Sequence, residues 1–130
     1  HAFCTGFAHD PAATLKRFVA LQALGDARRR AVAQALSAYL SPLDGQRQAV
    51  LADGLRRLCD TDLRGALGEV HMPVRLLHGA HDALMPVAGA IALADALPEA
   101  RLTVFDDCGH APFLSRPDDC AALIERFVDD

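Results

Sequence analysis

Two strand-length runs in the second half of the chain restrict its fold more than any other feature. Val74, Leu76 and Leu77 form one, closing on His78-Gly79, and Leu102, Val104 and Phe105 form the other. Between them, residues 86–97 carry helical spacing through Val87, Ile91 and Leu97, with Pro98 closing the element. A last helix is predicted from about 115–117, with Ala121, Leu123, Ile124, Phe127 and Val128 as its apolar positions. Strand, helix, strand, helix calls for a right-handed crossover and a parallel pair. Parallel strands are normally covered on both faces inside larger sheets, so two of them leave edges and apolar faces open. The expectation is an α/β fold in which this pair is part of a bigger sheet. A first residue that is His1 and not Met fits a piece of a longer chain.

The first half reads as helices. Asp10-Pro11 is a cap followed by proline at the first helical position, where its missing N–H costs nothing. Leu15, Phe18, Val19 and Gln22 follow at helical spacing, and Gly25 ends the element. A second helix is predicted over 27–40 with Val32, Leu36, Tyr39 and Leu40 inward, stopped by Ser41-Pro42. Asp44 caps a third over 46–59, with Val50, Leu51, Leu55 and Leu58 inward, and a short turn follows at 62–67.

Composition narrows the function. Hydrophobic residues make up 52% and charged residues 23%, yet no apolar run approaches the ~20 residues that span a bilayer. Neither a membrane nor a nucleic-acid partner is expected, since the basic residues lack interleaved aromatics. Cys4, Cys59, Cys108 and Cys120 lack C-x-x-C spacing, and the six histidines lack ligand spacing, so no metal site is expected. The thiols read as reduced, in a cytoplasmic protein. Residues 1–60 carry eight Lys or Arg against five acidic residues (+3), and residues 61–130 five against twelve (−7). The basic front half is therefore suited either to an acidic partner or simply to solvation.

Chemistry concentrates directly after the two predicted strands. Gly79-Ala80-His81-Asp82 follows the first, and Cys108-Gly109-His110-Ala111-Pro112-Phe113 follows the second. Open α/β sheets put functional groups at the C-terminal ends of parallel strands. Asp82 and His110 are thus expected at one sheet edge, within hydrogen-bonding reach. Gly79-x-x-Asp82-x-x-x-Pro86 followed by Gly109-His110-Ala111-Pro112-Phe113 resembles the C-terminal signature of the α/β-hydrolases, whose chain order is Ser, Asp or Glu, then His.

That resemblance implies His110 as catalytic base and Asp82 as the carboxylate orienting it. It implies residues 1–70 as a helical lid and 71–130 as the C-terminal βαβα part of the core. More narrowly, Arg17-Phe18-Val19-Ala20-Leu21-Gln22, Thr61-Asp62-Leu63-Arg64 and Met72-Pro73 resemble the pimeloyl-acyl-carrier-protein methyl esterases of biotin synthesis. Such enzymes imply an acidic acyl carrier protein as partner, with Arg17, Arg28, Arg29 and Arg30 as steering residues. Phe18 and Phe113, with Leu21 and Leu24, become candidates for an acyl passage or plain core. No cofactor is implied, and oligomeric state is not readable.

The nucleophile is missing from the pattern. Ser37, Ser41 and Ser115 are the only serines, and none stands in Gly-x-Ser-x-Gly. Ser37 falls in a predicted helix, Ser41 precedes a proline, and Ser115 reads as a helix cap. Cys108 sits on His110's own loop, a poor geometry for attack. Alternatives are another small-ester or lactone hydrolase, or a non-catalytic carrier-binding module.

Overall fold

The computed structural model describes residues 2–40 and 42–129. Four helices come first: α1 (Ala2–His9), α2 (Pro11–Gln22), α3 (Arg29–Ala38) and α4 (Gly45–Asp60). A 3₁₀ turn, Arg64–Glu69, leads to β1 (Val74–Gly79), α5 (Val87–Ala96), β2 (Ala100–Phe105), the short α6 (Pro112–Ser115) and α7 (Pro117–Asp129). The strands pair in parallel, from Val74 opposite Ala100 to Gly79 opposite Phe105.

Local chemistry explains the helix starts. The Asp10 carboxylate accepts from Ala13 N at 3.0 Å, with Pro11 at the first position. Asp44 likewise accepts from Arg47 N at 2.8 Å. Each such cap contributes about 1 kcal/mol. Gly25 turns the chain out of α2 at φ +83°, a left-handed conformation that side-chain-bearing residues rarely adopt. Ser41, expected to end α3, lies outside the described residues. Helix α1 was not foreseen, because nothing in residues 1–9 carries a cap or a clear apolar stripe.

The core is a seam between the helices and the loop after β2. Ala23, Val32 and Ala111 are its buried centre, with Ala33, Leu36 and Leu114 packed around them. Several positions expected to face inward do not. Tyr39, Val50, Leu51 and Leu58 are exposed, as are Ile91, Ile124, Phe127 and Val128. Helix α4 packs chiefly on α1, leaving its own apolar stripe uncovered. The strands, expected to be buried, are only half-buried, apart from the buried Gly79 and the exposed Arg101. Two strands with three flanking helices have too little covering surface for both sheet faces.

Cys4 Sγ lies 2.6 Å from Cys59 Sγ, joining α1 to α4, and all four cysteines are free. Among the described residues no helix is long and apolar enough to cross a membrane.

Candidate active site

Asp82 stands three residues past β1 and His110 five past β2, so the parallel pairing delivers both to one edge of the sheet. Close approach of the two loops is built in at Gly79. A Cβ there would fall 1.9 Å from Gly109 O and 2.5 Å from Cys108 O. Main-chain bonds then lace the loops together, Ala80 N to Phe105 O at 2.9 Å and His81 N to Cys108 O at 3.0 Å.

His110 Nδ1 lies 2.7 Å from Asp82 Oδ2. An ionised carboxylate only accepts, so the ring donates from Nδ1, and in the neutral imidazole Nε2 keeps its lone pair. The Asp82 side chain is 3% exposed, and its other oxygen accepts from Leu84 N at 2.8 Å and Met85 N at 2.9 Å. Burial by itself would push the Asp82 carboxyl up. The Met85 amide, the His110 ring and the Leu84 amide outweigh it and hold the carboxyl below its usual value. The arrangement is an imidazole with one nitrogen fixed by a buried carboxylate and, in the neutral ring, a lone pair on the other. Chemically, it can take a proton from a nucleophile and return it to a leaving group.

His78, at the end of β1, has a place that sequence reasoning did not assign. Its Nε2 donates to Met85 O at 2.9 Å and stands 3.7 Å from Asp82 Oδ2, beyond hydrogen-bonding range. It braces the turn that carries the carboxylate. Its spacing of four residues before Asp82 was the available signal.

The other anticipated residues divide. Arg17 on α2 and Arg29 and Arg30 at the start of α3 are exposed. Arg28, also exposed, donates from its guanidinium to Ser115 O at 2.6 Å. Phe113, three positions after His110, is 59% exposed, and Phe18 is 36% exposed and stacks edge-on against Phe3, ring centres 5.6 Å apart.

Ser115 does not cap α7, as expected, but ends α6 in a buried position. Its hydroxyl donates to Asp26. Ser37 donates to Ala33 O within α3. Cys108 is fully enclosed, and burial followed by the Asp107 carboxylate pushes its thiol up to about 11. A protonated, enclosed thiol is no nucleophile at neutral pH. No cluster of three metal-ligating side chains occurs among the described residues.

Comparison with known proteins places these features in context. The model of the alpha/beta hydrolase family matches residues 2–123. The pimeloyl-[acyl-carrier protein] methyl ester esterase of Aromatoleum aromaticum is 65% identical over 126 residues, covering 97% of this chain and 50% of that protein. The esterase of the same name from Xanthomonas campestris pv. campestris (strain B100) is 39% identical over 126 residues, again 97% of this chain and 50% of that one. Among solved structures, an esterase from Exiguobacterium antarcticum superposes with a TM-score of 0.73 at 23% identity, covering 99% of this chain and 47% of that chain. The chain spans about half the length of the curated relatives it matches.

Proposed function

This chain belongs to the alpha/beta hydrolase family, and from that premise we propose that Asp82 and His110 are the acid and base of a Ser-His-Asp carboxylic ester hydrolase. The observation that carries the reading is the 2.7 Å contact from His110 Nδ1 to the buried Asp82 carboxylate at the C-terminal edge of a parallel strand pair. The names of the relatives, together with 65% identity to one of them, favour the methyl ester of a pimeloyl chain on acyl carrier protein as substrate. Residues 1–70 then serve as the lid and 71–130 as the C-terminal part of the core.

The chemistry follows from the geometry. His110 Nε2 takes the proton of a serine hydroxyl as its oxygen adds to the ester carbonyl. The resulting imidazolium is stabilised by Asp82, which stays ionised. His110 then gives the proton to the departing methoxide, releasing methanol and leaving an acyl-enzyme. Water, activated by the same nitrogen, hydrolyses that intermediate. Ser37 and Ser115 are not placed to attack, and none of the three serines stands in Gly-x-Ser-x-Gly, so the reading draws the nucleophile and oxyanion donors from the part of the family fold that the chain does not span. Four free cysteines suit a cytoplasmic setting.

Arg17, Arg29 and Arg30 supply positive charge on the exposed helical surface, which favours approach of an acidic carrier. The test uses the protein in which this chain occurs, with whatever flanks it. Hydrolysis of the carrier-bound methyl ester is expected, and His110→Ala should lower kcat on the order of 10⁴-fold or more. Replacing the three arginines with alanine should weaken turnover of the carrier-bound ester and spare a free short-chain ester. Full activity in His110→Ala would sink the triad reading, and equal loss on both substrates would sink the steering one.

A further inference from the structure

Asp26 is a buried carboxylate, 6% exposed, that the chemistry above does not use. It follows Gly25 in the turn between α2 and α3. A buried charge is tolerated only where hydrogen bonds replace its water, and Asp26 has three. Oδ1 accepts from Arg28 N at 2.7 Å, a contact that any aspartate turn makes. Oδ2 reaches across the fold to residues 83 and 89 positions away. It accepts from Gly109 N at 3.0 Å and from the Ser115 hydroxyl. Gly109 is the immediate neighbour of His110, and Ser115 lies five residues beyond it.

The surrounding seam repeats the same connection in main-chain atoms. His110 N donates to Gln22 O at 3.1 Å, and Ala27 N to Asp107 O at 2.9 Å. Those bonds form with almost any side chains. Asp26 is different, because it contributes a negative charge and a doubly used acceptor oxygen, and bonds to ionised groups are roughly twice as strong as neutral ones. Arg28 closes the ring by donating to Ser115 O at 2.6 Å. The loop carrying His110 is therefore held on one side by Asp82 through the imidazole and on the other by Asp26 through the backbone. A displacement of about 1 Å in a reacting group is enough to cost on the order of 10²-fold in rate.

We propose that Asp26 is a positioning residue for His110, fixing the Gly109–His110 peptide and Ser115 so that the imidazole meets Asp82 in the right place. This rests on the reading of His110 as the base. Asn at position 26 tests it sharply. One end of its amide accepts a bond, but the other presents N–H either to Arg28 N–H or to the Gly109 N–H and Ser115 pair. The seam would open on one side without loss of volume.

The experiment compares Asp26→Asn, Ser115→Ala and His110→Ala in the protein that carries this chain, on a free methyl ester whose turnover does not require a carrier. Asp26→Asn is expected to lower kcat roughly 10- to 100-fold with KM changed less than about twofold. The downfield proton resonance of His110 Nδ1–H should broaden or shift, a signal independent of turnover. Ser115→Ala, which keeps the Gly109 bond, should lower kcat by about three- to tenfold. A residue that only adds stability would lower the melting temperature while leaving kcat and the proton resonance at parental values well below it. If Asp26→Asn does not fold, Ser115→Ala decides alone, and parental kcat with a parental resonance would overturn the proposal. Activity retained in His110→Ala would refute the triad instead. Loss in His110→Ala beside parental behaviour in a folded Asp26→Asn would refute the positioning role only.

Discussion

At Gly79 and Gly109, in the two loops that carry Asp82 and His110, there is no room for a methyl group. A Cβ on Gly79 would overlap the main chain of the facing loop, and Cys108 and Ala111 are fully enclosed. Along α4 the opposite holds. Gly54 has nothing within 4 Å of where its Cβ would be, no residue of the helix is buried, and Leu58 is 81% exposed. Both regions contain apolar side chains, so composition does not separate them. What separates them is the number of directions from which other elements arrive. The loops receive β1, β2, α6 and the α2–α3 turn, whereas α4 rests chiefly on α1. Tight packing in this chain follows the chemistry, and the remote helix contributes surface.

The sharpest way to break that contrast is Gly79→Ala. With backbone oxygens 1.9 and 2.5 Å from the new Cβ, neither loop can yield without moving Asp82 or His110. A loss of about 3 kcal/mol or more is expected, with hydrolysis falling in parallel. Urea unfolding of the protein that carries this chain measures it, and a change near zero would mean that the loops are loosely joined. A smaller effect should come from acid. The Asp82 carboxyl is held below its ordinary value, so its stabilising contribution is complete above 3.8 and is lost as pH falls below that and through the folded value. Asp82→Asn should therefore flatten the part of the acid-side decline in urea midpoint that lies below 3.8. An unchanged slope would show that this charge is not linked to folding. The smallest effect belongs to α4. Leu58→Ala should change stability by no more than about 0.5 kcal/mol, because its side chain is already in water. A loss of about 2 kcal/mol would reveal a covering surface on α4 in the whole protein.

The sequence carried the elements and the chemical pair well, and for local reasons. Asp10 and Asp44 announce helix starts through bonds made three residues away. Gly79, Asp82, Gly109 and His110 announce loops at strand ends. Helix α1 escaped because its first turn has no capping signal. The inward face assigned to α4 was a periodicity without a partner, since helical spacing says which residues share a face and not what will cover it. Ser115 and Asp26 were illegible for a different reason. Each looks like a cap or turn residue within its own neighbourhood, and their shared bond spans 89 positions. Arg28 is exposed, as its charge suggests, but its bond to Ser115 O spans 87 positions and has no local signal.

The pairing of Gly79 with Phe105 has a meaning for how the site comes into being. It acts as a ruler. Asp82 is counted from one end of that pair and His110 from the other, so a slip of one residue would displace them by about 3.3 Å. That exceeds the whole 2.7 Å contact between them, and it would also turn alternate side chains to the wrong face. They meet only in the one correct alignment of β1 and β2, a pairing that closes the chain through α5. The geometry of the Asp82–His110 contact is thus a readout of strand register, set by the backbone pairing.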